Sequence, residues 1–122
     1  LAFRLLIGHP MQQVSVGKLA ALVYSLGPDK QPVLLDVREP WEVQTASFSL
    51  PGVRSVHIPM NEIPARLGEL DPAQPVLSLC HHGMRSMQVA VFLERQGFAQ
   101  VFNVAGGIDA WSREVDASVP LY

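Results

Sequence analysis

Two short runs of apolar residues constrain the fold of this chain more than any other feature. Residues 33–37 read Val-Leu-Leu-Asp-Val, and residues 76–79 read Val-Leu-Ser-Leu. A strand with one solvated face alternates apolar and polar residues, whereas a nearly continuous apolar run is typical of a strand buried on both faces. Such strands occur in parallel sheets that helices cover. The two runs therefore predict buried strands of a largely parallel sheet.

Helical patterns alternate with strands along the rest of the chain. Residues 19, 22, 23 and 26 are apolar at the spacing of an amphipathic helix, and Gly27-Pro28 follows as a stop signal. The alternation predicts one α/β domain with a mostly parallel sheet of four or five strands and helices on both faces. Trp41 and Trp111 are expected to pack in the core. Further strands are predicted at 53–58 and 101–104, and further helices at 40–46, from Asn61 through Ile63, Leu67 and Leu70, at 86–96, and from Gly106-Gly107 through Trp111.

The charge balance and the single cysteine exclude several classes of protein. Nine Lys and Arg oppose eleven Asp and Glu, for a net charge of −2, and no basic run marks a nucleic-acid surface. No stretch approaches the roughly 18–20 apolar residues that span a bilayer, so we expect no membrane contact. One cysteine, Cys80, permits neither an internal disulfide nor a cysteine-only metal site. A free thiol suits a reducing compartment, which predicts a cytoplasmic protein.

Cys80 stands where the strand at 76–79 ends, and a polar segment, His-His-Gly-Met-Arg-Ser, follows it. Ligands of parallel sheets bind beyond the carboxyl ends of the strands. A glycine-containing loop that leads into a helix can direct successive N–H groups inward, and the helix N-terminus adds partial positive charge. Such a cradle stabilises a thiolate and makes it a better nucleophile. A buried structural cysteine is the alternative, but so polar a segment suits a loop better than a core.

This segment resembles the active-site loop of the rhodanese family, the thiosulfate and related sulfurtransferases. Three other segments resemble motifs of the same family: residues 34–42, residues 50–53 followed by 57–60, and the closing Gly-Gly-Ile-Asp-Ala-Trp. The resemblance implies one rhodanese-like domain over residues 1–122, with a core at about 14–120 and an N-terminal arm at 1–13. The apolar residues 1–7 are expected to pack as part of that arm and not to act as a targeting signal. The chain departs from the family at Phe48-Ser49-Leu50, where Gly-His-Ile is usual.

The resemblance also implies roles for individual residues. Cys80 would accept a sulfane sulfur and become a persulfide. Asp36 and Arg38 would lie near the active-site face, where we expect an ion pair or hydrogen bonds and no direct part in the reaction. The donor would be a small molecule such as thiosulfate, the acceptor a thiol or a protein, and no cofactor would be needed. The substrate would be bound by the loop residues His81, His82, Gly83, Met84, Arg85 and Ser86.

Three of these loop residues raise alternatives. Arg85 is expected to bind the sulfonate of the donor, and the alternative is a pair with an acidic neighbour such as Asp36 or Glu39. His81 and His82 follow Cys80 directly, but adjacent residues on a tight loop rarely face each other, so we expect neither to be a general base. A metal site built from Cys80 and these histidines would need further ligands, so we expect no metal.

The length of the loop distinguishes two chemistries on this fold. Residues 80–85 form a Cys-x4-Arg loop of six residues. The phosphatases and arsenate reductases that resemble the rhodanese family use Cys-x5-Arg, which makes a wider cradle for a tetrahedral oxyanion. Because the position one residue later is Ser86 and not Arg, the spacing favours sulfur transfer. A sulfur-relay or protein-docking module with little turnover on small donors is the other alternative.

Overall fold

A computed structural model of the chain describes residues 10–122. All its strands pair in parallel in a five-stranded sheet with the order β1-β5-β4-β2-β3. This confirms the prediction of an α/β domain with a parallel sheet. The apolar segment at 1–7 and most of the predicted arm lie outside the described residues. The strands are β1 (Gln12–Ser15), β2 (Val33–Asp36), β3 (Arg54–His57), β4 (Val76–Leu79) and β5 (Val101–Ala105), and the helices are α1 (Leu19–Leu26), α2 (Pro40–Thr45), α3 (Met84–Arg95) and α4 (Gly107–Glu114).

Strand β1 is the element that the sequence patterns did not reveal. It reads Gln-Gln-Val-Ser, it lies at an edge of the sheet, and three of its four residues are exposed. An edge strand with so little buried surface needs no apolar run, so hydrophobic patterning gives no signal there. Its first two residues, Gln12 and Gln13, pair with β5, which brings part of the predicted arm into the sheet.

Helices cover both faces of the sheet because neighbouring residues of a strand point to opposite sides. On one face Leu35 of β2 belongs to a buried cluster with Val89 and Leu93 of α3. On the other face Leu34 belongs to a cluster with Ile108 of α4 and with residues of α1. The strands that read as continuous apolar runs, β2 and β4, lie inside the sheet and are covered on both sides, as the sequence predicted.

The helix predicted from Asn61 is wrong. Two short 3-10 segments, Met60–Glu62 and Leu67–Glu69, occupy this stretch and are joined by turns. The N–H groups of Ile63, Glu69 and Leu70 donate to the carbonyl oxygens three residues earlier, as in 3-10 turns, and Gly68 lowers the helix propensity of the stretch. The apolar residues of the stripe still contribute to the core, since Ile63 is 1% exposed and Leu70 is 6% exposed.

The two tryptophans have different environments. Trp111 on α4 stacks on Phe48, with ring centroids 4.1 Å apart and an angle of 7° between the rings. The segment that departs from the rhodanese pattern therefore packs against α4. Trp41 on α2 is 60% exposed, so its predicted place in the core is wrong. It lies on the outer side of a short helix whose one buried residue is Glu42.

Helix α3 begins at Met84, two residues earlier than the sequence predicted, and its start lies immediately after the loop that contains Cys80. It has 12 residues and is the longest helix among residues 10–122. In this part of the chain no helix combines the length and the apolar character that crossing a membrane requires.

Candidate active site

The Cys80 side chain lies at the carboxyl end of β4, between β5 and β2 and at the N-terminus of α3. Cys80 is 1% exposed, and its Sγ accepts a hydrogen bond of 3.1 Å from the N–H group of Gly83. Gly83 has a φ of +103°, a conformation that turns its N–H toward the sulfur and that other residues rarely adopt. Met84, Arg85 and Ser86 open α3, so their N–H groups have no acceptor within the helix. The Met84 side chain itself is 65% exposed.

Helix α4 fixes the same loop from the opposite side. The N–H groups of Ile108 and Asp109 donate hydrogen bonds of 3.0 Å to the carbonyl oxygens of Cys80 and His81. Gly107 lies directly against these carbonyls, and a Cβ atom at this position would be 2.5 Å from the oxygen of Cys80. Gly107 of the closing motif therefore lets α4 approach the loop closely enough to hold it.

A buried polar network supports the loop from beneath. Ser86 is fully buried, and its hydroxyl donates to Oδ1 of Asn103 over 2.5 Å. Asn103 in turn donates from Nδ2 to the carbonyl oxygen of Gly83 over 3.1 Å and to Gln13 over 2.9 Å. Ser86 is among the residues predicted to bind substrate, and its side chain is directed inward and holds the loop, which leaves its N–H group for that role. Sequence reasoning missed Asn103, although a polar residue inside the apolar strand Val-Phe-Asn-Val was a signal.

At the rim of the loop, Arg85 makes a bidentate ion pair with Glu42, with N···O distances of 2.7 Å and 2.9 Å. The acidic partner is thus neither Asp36 nor Glu39, the two alternatives that the sequence suggested. The hydrogen bonds from Arg85 lower the pKa of Glu42 to about 2, against the opposing effect of burial. The same hydrogen bonds raise the pKa of Arg85.

Asp36 and Arg38 form the ion pair that we expected, with Arg38 Nε 2.9 Å from Oδ1 of Asp36 and Nη2 2.7 Å from Oδ2. Arg38 is fully buried and also donates to the carbonyl oxygen of Ala46. Its Nη1 donates to the Tyr122 hydroxyl over 2.9 Å. Burial raises the pKa of Tyr122 to about 12. The pair thus ties the segment after β2 to the end of α2 and to residue 122.

The two histidines stack on each other and not on Cys80. The ring centroids of His81 and His82 are 4.0 Å apart, and His81 also stacks on Tyr122 at 3.8 Å. Burial, and then the neighbouring His82, lower the pKa of His81. Ligand atoms of His81, His82 and Asp109 lie within 4.8 Å of one another. The Asp109 carboxylate of this group is already paired with Arg113.

The low pKa of Glu42 predicts that the protein loses stability in acid. Its folded pKa of about 2 lies below the ordinary 4.5, so its contribution to the free energy of unfolding is complete above pH 4.5 and is lost as the pH falls through about 2. We expect Glu42→Gln to lower the Tm by several degrees at pH 7. Between pH 4.5 and 2, the Tm of this variant should decrease less steeply than that of the natural protein. Glu114→Gln, at an exposed residue of α4, is the control. If the Tm of Glu42→Gln decreased between pH 4.5 and 2 as steeply as that of the natural protein, Glu42 would not be the source of the acid sensitivity.

Comparison with known proteins relates this site to a family. The family model described as Rhodanese-like domain matches residues 19–114. YtwF of Bacillus subtilis, whose name refers to sulfurtransferases, is 42% identical over 95 residues, which cover 78% of this chain and 87% of that protein. The chloroplastic Rhodanese-like/PpiC domain-containing protein 12 of Arabidopsis thaliana is 38% identical over 118 residues, which cover 93% of this chain. The match spans 38% of the length of the Arabidopsis protein.

Solved structures agree with this relationship. The crystal structure of a rhodanese-related protein from Thermoplasma volcanium superposes with a TM-score of 0.68 at 30% identity. The superposition covers 91% of this chain and 99% of the other chain. With the parallel sheet, the cysteine loop before α3 and the close contact of Gly107 with that loop, the chain belongs to the family of rhodanese-like domains.

Proposed function

We propose that this protein is a sulfurtransferase that moves a sulfane sulfur from thiosulfate or a persulfide to a thiol, a protein or another thiophilic acceptor. A persulfide on Cys80 would be the intermediate. The observation that carries the proposal is the hydrogen bond from the Gly83 N–H group to Cys80 Sγ at the N-terminus of α3. The sulfurtransferase name of the Bacillus relative supports it.

The reaction proceeds in two displacements. The Cys80 thiolate attacks the outer sulfur of thiosulfate, the S–S bond of the donor breaks, and sulfite leaves with the electron pair. A thiolate or cyanide then attacks the terminal sulfur of the Cys80 persulfide, and the Cys80 thiolate leaves. In both forms the sulfur that bears negative charge lies toward the N–H groups of Gly83 and the first turn of α3, which favour an anion.

A protein acceptor or donor is favoured by a second observation. Met84 is 65% exposed at the start of α3, and Trp41, which contacts Tyr122 edge to face, is 60% exposed. Large exposed apolar side chains beside a reactive group are typical of a protein contact surface. A relay module of this kind would form its persulfide with a protein donor and not with thiosulfate, and that difference separates the two candidates.

The two half-reactions provide the test of this function. Without an acceptor, thiosulfate should release a burst of sulfite that equals one molecule per chain and then stops, because the sulfur stays on Cys80. Addition of cyanide should restart turnover and give initial rates with ping-pong kinetics. Sulfite release that requires the acceptor from the first turnover would contradict a persulfide intermediate.

The short loop predicts selectivity against phosphate esters. Residues 80–85 enclose too small a cradle for a tetrahedral phosphoryl group, so we expect aryl phosphates to be hydrolysed no faster than background. Insertion of a serine after Gly83 should weaken sulfur transfer by about 10²-fold, because it moves N–H groups away from the sulfur. A serine inserted after Gly52, in the turn before β3, is the matched control and should leave activity unchanged. Ordinary turnover of an aryl phosphate by the natural loop would refute the argument from loop length.

A further inference from the structure

The charged side chains around the Cys80 loop are paired with one another. Arg85 pairs with Glu42, Arg38 with Asp36, and Arg113 with Asp109, which also lies 3.9 Å from His82. Glu39 is an exposed carboxylate at the N-cap of α2, the helix that contains Glu42. Among the residues that the structure describes, the positive charge of each arginine at this rim is therefore neutralised by a carboxylate.

Glu42 is held in place by more than its arginine. Its side chain is 4% exposed, and it accepts a hydrogen bond of 3.0 Å from the Glu39 N–H group and one of 2.7 Å from the Tyr122 hydroxyl. The ring of Tyr122 is fixed in turn by stacking on His81. A carboxylate with this many partners does not swing away when a donor arrives, so Arg85 meets the donor with its charge already compensated.

We propose that Glu42 is a specificity-determining residue that selects sulfur donors of low charge, neutral persulfides above all, and disfavours dianionic thiosulfate. This inference rests on the proposed sulfur transfer through Cys80. The N–H groups of the loop can compensate one negative charge at the reacting sulfur. Thiosulfate would bring a second charge, on its sulfonate, to a rim where the buried Glu42 carboxylate opposes it.

The two donors bring different amounts of negative charge into the site during the reaction. A neutral persulfide, RS–SH, is attacked at its terminal sulfur, the S–S bond breaks, and RS⁻ leaves while Cys80 becomes a persulfide that retains the proton. With thiosulfate, the thiolate attacks the outer sulfur, sulfite leaves as a dianion, and three negative charges share the site throughout. Only the second reaction needs an uncompensated cation near the leaving group.

Three donors of graded charge test the proposal: the protonated persulfide of 2-mercaptoethanol, with its rate referred to the protonated fraction at the assay pH, methanethiosulfonate and thiosulfate, with charges of 0, −1 and −2. The readout is kcat/KM for persulfide formation on Cys80. Glu42→Gln frees the charge of Arg85, and we expect a gain of about threefold per unit of donor charge, hence about tenfold for thiosulfate and none for the neutral persulfide. If the role of Glu42 were only structural, its substitution would change kcat/KM for all three donors by the same factor, and that result would overturn the proposal.

Two further variants separate charge from packing. Glu69→Gln makes the same change in net charge at the exposed Arg66–Glu69 pair and should leave the donor ratios unchanged. Glu42→Gln combined with Arg85→Gln removes both charges and should return the ratios to those of the natural protein. Ratios that stay shifted in the double variant would show that Arg85 does not mediate the effect.

The natural protein provides a measurement that does not depend on how a variant folds. A rim without net charge predicts that kcat/KM for thiosulfate changes less than about threefold between 20 mM and 500 mM salt, because little attraction is available to screen. A steep decrease with salt would reveal a net cationic site and overturn the selectivity proposal while leaving sulfur transfer intact. Failure of every donor to place sulfur on Cys80 would instead refute the proposed function, and the selectivity with it.

Discussion

Replacement of Cys80 by serine is expected to abolish sulfur transfer while the fold stays intact. A serine hydroxyl is far less acidic than a thiol and cannot form a persulfide, and the chain has no second cysteine to replace it. Thiocyanate production from thiosulfate and cyanide should decrease by on the order of 10³-fold or more. The substitution changes one buried atom, whose hydrogen bond from Gly83 an oxygen can also accept.

The structural side of this prediction can be checked on the same sample. Circular dichroism spectra that match those of the natural protein, with a Tm within a few degrees of it, would show that the loss is chemical. Thiocyanate production near the natural rate by a folded Cys80→Ser protein would show that the nucleophile is a different group.

Gly107→Ala is expected to have the second largest effect, because this glycine is where α4 meets the active-site loop. A Cβ atom there would come 2.5 Å from the carbonyl oxygen of Cys80, and φ is +62°. Because this oxygen belongs to the backbone, it cannot move aside as the end of a flexible side chain can, so the whole loop must shift. A displacement of about 1 Å at a reacting group costs about 10² in rate, and we expect a loss of at least that size in kcat/KM. The overpacking and the unfavourable φ together should lower the free energy of unfolding by about 2–5 kcal/mol.

Gly97 offers a matched control for the backbone contribution. It also has a positive φ, of +90°, but a Cβ atom there would meet nothing within 4 Å. Gly97→Ala should therefore cost about 1–2 kcal/mol of stability and leave sulfur transfer unchanged. Equal losses of activity in the two variants would mean that the contact between α4 and the loop does not position the site.

Local patterns predicted most of the fold and failed where burial was slight or helix geometry was interrupted. Strands β2 and β4 are buried on both faces, and burial leaves an apolar run that can be read directly. Edge strand β1 buries little, so its residues carry no such pattern. The stretch after Met60 has apolar residues at helical spacing, but it folds as two short 3-10 segments, the second of which contains Gly68, and the apolar groups reach the core from these turns.

The candidate site was predictable only where its parts are contiguous in sequence. Cys80, the glycine of its loop and the start of α3 lie within a few positions of one another, so strand, loop and helix signals locate them together. The partner of Arg85 could not be predicted in this way, since Glu42 lies 43 positions away and the pair depends on where the fold places α2 relative to the loop. The Tyr122 hydroxyl reaches Glu42 across 80 positions and gives no local signal at all.

The intact mass of the protein after exposure to a sulfur donor tests the central claim most directly. The natural protein is incubated with thiosulfate or with the persulfide of 2-mercaptoethanol, freed of the donor, and analysed by mass spectrometry together with its proteolytic peptides. We predict a gain of one sulfur atom, located on Cys80, removed by cyanide and absent from Cys80→Ser. An unchanged mass with both donors, or sulfur on any other residue, would contradict sulfur transfer through Cys80.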